Sequence, residues 1–202
     1  MDGLRETTSY IHGIIKREAR ILGGTENIVL GGLSQGCAAS MVASLLWDGD
    51  ALGALVGMCG WLPLSRHLGD IMRGVSIDDE EIDGEEFNPF AEDEDDDGDG
   101  DSDEVVDEPR SNVERALAYL REELDMSHDL PAELPLPRTP IFLGHGVLDK
   151  KVPVTLGEEM AACLDSMGAG LVWTRYDSLG HWYSPDMLRD IVGFVRKHVC
   201  TE

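Results

Sequence analysis

Long hydrophobic runs are missing from this sequence. No stretch approaches the about 18 consecutive apolar positions that a membrane-crossing helix needs, which argues against a helical membrane protein. The N-terminal MDGLRETTSYIHG has neither the basic start nor the apolar block of a secretory signal, so a cytoplasmic protein is expected. Cysteine is also scarce: Cys37, Cys59, Cys163 and Cys200 are scattered with no C-x-x-C pair. Neither a zinc site nor a disulfide framework is indicated, and reduced thiols are the simplest reading. Basic charge is scarce as well, with 16 Lys and Arg against 40 Asp and Glu. That leaves no electropositive footprint for nucleic acid.

The acidic excess is local. Residues 78–108 hold 19 of the acids and neither Lys nor Arg, so the formal charge of −24 falls to −5 elsewhere (−24 + 19). The rest is a mildly acidic sequence long enough for one domain with a sizeable core. The predicted organisation is therefore one domain in two pieces, 1–77 and 109–202, around an insertion at 78–108. Low hydrophobicity and high charge predict that this insertion is disordered.

Outside the run, helical and strand patterns alternate. Leu4, Ile11, Ile14, Ile15, Ala19 and Leu22 recur at helical spacing, predicting a helix over 3–22 that stops at Gly23-Gly24. NIVLG (27–31) is a short apolar strand, and CAASMVASLLW (37–47) suits a helix packed on a sheet. Further strands are predicted at 54–59, 140–146 and 171–177, and further helices at 65–73, after a Ser111/Glu114 capping box, at 156–167 and at 185–199. Strands separated by helices imply an α/β fold: a mostly parallel sheet covered by helices on both faces.

The stretch GGLSQG (31–36) contains G-x-S-x-G where a strand meets a helix, the setting in which Ser34 can be held on a strained turn with its Oγ exposed. Gly32 and Gly36 are expected to let strand and helix pack closely. The backbone N–H of Gln35, in the first helical turn, has no intrahelical partner and can serve a developing oxyanion. A serine nucleophile needs a base and a group to orient it, in loops at the carboxyl ends of later strands and in the order acid, then His. Asp149 in VLDKKVP and His181 in SLGHWYS meet that order.

Blander readings exist for each residue. Ser34 can be a turn serine, Asp149 a solvated acid paired with Lys150 or Lys151, and His181 a structural turn residue. His145, in the same loop as Asp149, reads as structural, and Cys37 as a buried helix residue rather than a second nucleophile. His198 falls in the last turn of the closing helix, and His12, His67 and His128 carry no partner signal. Trp61 and Leu62, which follow the second strand, and Trp182 and Tyr183, which follow His181, can border an acyl groove or simply pack in the core.

Taken together, GGLSQGCAASM, GMCGWLP, PIFLGHGVLDKKVP and YDSLGHWYSPDMLRDIVGFV resemble the acyl-protein thioesterase and phospholipase/carboxylesterase family of α/β-hydrolases, particularly its fungal branch. The resemblance implies a cytosolic serine hydrolase without cofactor or metal, acting on acylated proteins, lysophospholipids or small esters. It matches Ser34, Asp149 and His181 to the family triad, Gln35 to the oxyanion residue, and the Trp61-Leu62 stretch to the acyl site. Family members begin with several strands and a His-Gly loop ahead of the helix that opens this sequence. The resemblance therefore also implies an N-terminally truncated fold that lacks a second oxyanion donor, with an inactive homologue as the alternative outcome.

The acidic run supports two further readings. Asp93, Asp95, Asp97, Gly98 and Glu104 satisfy the spacing of a calcium-binding loop. A tract this rich in Asp generates such matches easily, and Gly100 stands where an apolar residue belongs. The run can instead bind basic partners, which would make the protein an acidic interaction module.

Overall fold

The computed structural model describes residues 2–75, 111–127, 131 and 133–199. The acidic run 78–108, with its calcium-type spacing and its expected basic partners, lies outside the described residues, as does His128.

The described chain runs α1 (Asp2–Leu22), β1 (Val29–Leu33), α2 (Gln35–Leu45), β2 (Ala54–Met58), α3 (Ser65–Met72), α4 (Asn112–Glu123), a 3-10 turn (Leu136–Arg138), β3 (Ile141–Gly146), α5 (Val154–Ser166), β4 (Leu171–Tyr176) and α6 (Pro185–His198). The four strands form one sheet in the order β1-β2-β3-β4. Every pairing is parallel, as the helical connections require. The Ser111/Glu114 capping box forms at the start of α4.

Register decides which face each strand residue serves. Leu30, Leu55, Ile141 and Leu171 align across the sheet, as do Gly32, Gly57, Leu143 and Trp173 two positions on. Leu55, Ile141 and Leu143 are buried in the main core, with Cys37, Met41 and Val42 from α2, Leu68 and Ile71 from α3, Leu117 and Leu120 from α4, and Met160 and Leu164 from α5. Helix α1 lies outside α2, where Ile15 joins Trp47 and Leu52 in a smaller cluster.

The opposite face presents Val56, Phe142 and Val172 in one row. Only α6 covers it among the described residues, through Phe142 against Phe194 and Met187 against Gly144. Helices therefore lie on both faces, as expected, but unequally. Val29 and Val172 keep 40% and 46% of their surface exposed. No helix among the described residues is long and apolar enough to cross a membrane.

Candidate active site

The carboxyl ends of the strands gather the chemistry. Strand β1 runs straight through Gly31 and Gly32 to Leu33 and delivers Ser34 at the mouth of the sheet. Ser34 has φ 57° and ψ −123°, left-handed for a non-glycine residue, a strain that costs about 1–3 kcal/mol. Its N–H donates to the Met58 carbonyl at 2.9 Å, tying the turn to the end of β2. A Cβ on Gly32 would collide with the backbone of Gly36, so only glycine lets α2 start this close to the strand. Gly36 differs from expectation: open space surrounds the position its Cβ would take.

Ser34 occupies the N-cap position of α2, yet its hydroxyl makes no cap bond. Capping serines normally accept an N–H from the first turn, as Ser184 does at the start of α6. The Ser34 hydroxyl instead lies 2.9 Å from His181 Nε2. The first-turn N–H of Gln35 has no intrahelical acceptor.

Asp149 sits in the turn after β3, with its side chain fully buried. Oδ1 accepts the backbone N–H groups of Lys151 and Val152 at 2.9 and 3.0 Å, and Oδ2 lies 2.7 Å from His181 Nδ1. This is not the solvated acid of the blander reading: the turn offers Asp149 the Lys151 amide rather than its ammonium. With Nδ1–H donating to the carboxylate, neutral His181 presents the Nε2 lone pair to the Ser34 O–H. The result is a continuous hydrogen-bonded chain from hydroxyl to carboxylate.

The loops carrying the acid and the base are stitched together. Leu148 N–H donates to Leu179 O at 2.9 Å and Val147 N–H to Tyr176 O at 3.0 Å. A Cβ on Gly146 would run into the carbonyls of Leu179 and Gly180, so glycine at the end of β3 is what permits their approach.

Two neighbours of this chain have no strong sequence signal. His145 is fully buried, donates Nε2–H to Val152 O at 3.0 Å, and lies 3.4 Å from Asp149 Oδ2. Burial lowers its pKa, opposed by the Val152 carbonyl and Asp149. Cys59 follows β2, and its thiol lies 3.3 Å from Trp182 O and 3.9 Å from Gly180 O. Burial raises its pKa and keeps the proton on sulfur. One donor atom each from Cys59, His145 and Asp149 lie within 4.8 Å of one another, but all three are already engaged in the hydrogen bonds just described.

The remaining candidates separate by exposure. Trp61 is buried with Ala38 and Val152, and Leu62 belongs to the main core, so neither stands open at the mouth. Trp182 is 56% exposed and stacks on Tyr183, with ring centroids 5.0 Å apart; Leu148, beside Asp149, is 59% exposed. Cys37 is fully buried, and burial pushes its thiol up to about 12, a poor nucleophile. His12 is bonded to Ala43 O, and His198 packs on Phe194. A groove of about 410 Å³ between α3 and α5, lined by Arg66, Arg73, Glu159 and Cys163 among others, contains none of the hydrogen-bonded three.

A parallel sheet with a serine on a strand-to-helix elbow, an acid after a later strand and a histidine before the last helix has the architecture of an α/β-hydrolase. Residues 1–77 and 126–199 match the phospholipase/carboxylesterase family, and the chain belongs to it. It is 23% identical over 198 residues to acyl-protein thioesterase 1 of Gibberella zeae, covering 98% of this chain and 59% of that protein. A 67-residue stretch is 33% identical to acyl-protein thioesterase 1 of Yarrowia lipolytica, covering 33% of this chain and 29% of that protein. The fold resembles crystal structures of Arabidopsis thaliana SOBER1, with TM-score 0.61, 20% identity, and 96% of this chain and 64% of that one covered. It also resembles Zea mays acyl-protein thioesterase 2, with TM-score 0.56, 15% identity, and coverage of 98% and 65%. The chain thus spans less than two thirds of the length of these relatives.

Proposed function

We propose that this protein is a serine hydrolase that cleaves carboxylic esters or thioesters through an acyl-Ser34 intermediate. The observation that carries the reading is the hydrogen-bonded chain in which His181 bridges Ser34 at 2.9 Å and Asp149 at 2.7 Å. Ser34 Oγ attacks the acyl carbonyl while its proton passes to His181 Nε2, and Asp149 stabilises the imidazolium that forms. The Gln35 N–H faces the oxyanion. His181 then protonates the departing alkoxide or thiolate, and water, deprotonated by the same nitrogen, releases the acid.

The exposed apolar group of Leu148, Trp182 and Tyr183 beside the base suits the acyl chain of a lipid-modified protein, a lysophospholipid or a small apolar ester. A cytoplasmic location agrees with such substrates. The mechanism calls for no cofactor.

The test is covalent labelling by a fluorophosphonate, with the modified peptide identified by mass spectrometry. Ser34 should be labelled, and Ser34→Ala should abolish the adduct. Asp149→Asn retains an acceptor for the Lys151 and Val152 amides but turns an N–H toward His181, which imposes the wrong tautomer. It should slow ester hydrolysis about 10⁴-fold with little change in melting temperature. A folded wild-type sample that takes up no label would instead make the chain a non-catalytic homologue.

A further inference from the structure

We propose that Cys59 is a positioning residue for the base: its thiol holds the loop carrying His181 in register with Ser34 and Asp149. This inference rests on the serine-hydrolase reading above and adds a residue to its machinery.

Leu33 pairs with Met58, so Ser34 and Cys59 are register neighbours, each the first residue beyond its strand. The Met58 carbonyl anchors Ser34, and the Cys59 N–H donates to Gly144 O of β3 at 2.9 Å. The backbone at this position therefore joins the nucleophile's turn to the strand that leads to Asp149. The side chain completes the connection, because its sulfur faces the carbonyls of Gly180 and Trp182, the residues on either side of His181.

Cys59 has φ 46°, a conformation that glycine adopts without penalty and a side-chain-bearing residue does not. Gly60 follows immediately, yet the strained position itself carries a side chain. That side chain is completely buried.

Between β4 and α6 the backbone has no regular structure. Besides Leu179, whose carbonyl accepts from Leu148 and whose N–H bonds Tyr176, the local turn bond is Trp182 N–H to Gly180 O at 2.8 Å. The S–H is shared between Trp182 O, beyond His181, and Gly146 O at the end of β3, so it links the base loop to the strand that leads to Asp149. Catalysis by a serine–histidine pair is sensitive to sub-ångström displacement of the base.

The test compares Cys59→Ala, Cys59→Gly and Cys59→Ser by steady-state hydrolysis of a short p-nitrophenyl ester. Alanine and glycine should each lower kcat about tenfold with KM unchanged, the effect of losing one hydrogen bond that orients the base. Serine keeps a donor and should recover to within about threefold of wild type. Glycine also relieves the positive φ, so its loss of rate cannot be assigned to a damaged turn. Wild-type kcat in the alanine and glycine variants, a change confined to KM, or serine as slow as alanine would overturn the proposal.

Amide hydrogen exchange over residues 178–184 reads the tie without turnover. Exchange should speed up in the alanine and glycine variants and stay near wild type with serine; equal exchange in all four proteins overturns the proposal. A wild-type protein unreactive toward fluorophosphonate, with exchange nonetheless accelerated by alanine, would remove the hydrolase reading and leave the loop tie standing.

Discussion

His145 and His181 both approach the Asp149 carboxylate, at 3.4 and 2.7 Å from Oδ2. His145 is sealed in the interior with its Nε2–H committed to Val152 O, so it buttresses the acid's turn, whereas His181 keeps an edge toward Ser34. Burial lowers the His145 pKa below 6.5, and burial does the same to His12. The unfolded chain therefore takes up these protons first as pH falls. Between 6.5 and the lower folded values it binds more protons than the native state, so stability rises with pH across that window. This contribution is complete above 6.5 and is lost progressively below it. Each group contributes a slope of at most about 1.4 kcal/mol per pH unit. Urea unfolding at pH 7.5, 6.5 and 5.5 should show stability falling on the acid side, and His145→Gln should flatten the decline. An equal slope in the variant would mean that His145 is not held neutral by the fold.

At the scale of elements, the two motif glycines separate sharply. Gly32→Ala drives a methyl group into the backbone of Gly36 and should destabilise by more than about 3 kcal/mol, with loss of fluorophosphonate labelling. Gly36→Ala meets nothing in the first turn of α2 and should be neutral or stabilising by up to about 1 kcal/mol. Thermal melts of the two variants check both outcomes. A motif cannot distinguish these glycines, because the distinction lies in which one faces backbone across the elbow.

Most elements were legible because their signals are local. The capping box located α4, and the apolar run at 140–146 anticipated β3 at Ile141–Gly146. Strand β1 lies two residues further along than NIVLG (27–31): Gly32 and Leu33 fall beyond the apolar run, but their pairing with Gly57 and Met58 keeps them in the sheet. The 3-10 turn at Leu136–Arg138 was missed, since three residues around a proline carry no periodicity. The convergence of Ser34, Asp149 and His181 was legible from the serine motif, the order of the three and their loop positions. Cys59 was not, because its placement depends on the loop before α6 meeting the end of β2; the His145–Asp149 contact is local, but a four-residue spacing across the end of a strand does not fix which side chains meet.

At the scale of the molecule, the helices that flank the acidic run in sequence meet directly. Asn112 Nδ2 donates to Met72 O at 3.1 Å, so the end of α3 and the start of α4 touch. Leu68 and Ile71 share the main core with Leu117 and Leu120, which fixes the two helices by packing. Replacing residues 78–108 with Gly-Gly would leave Ser76, Ile77, Pro109 and Arg110 to span the short remaining distance. Given the disorder that the composition of the run predicts, each halving of the connection should recover about 0.6 kcal/mol of closure entropy, and shortening it to about six residues roughly 1–2 kcal/mol. Removing 19 acids also lessens self-repulsion, most strongly at low ionic strength. The deletion variant should therefore melt about 3–6 °C higher than the full chain and label at Ser34 at an undiminished rate. The gain should shrink as salt is added, because screening already removes the repulsive part. A lower melting temperature at every salt concentration, or slowed labelling in a folded variant, would show that the acidic run supports the domain or its active site.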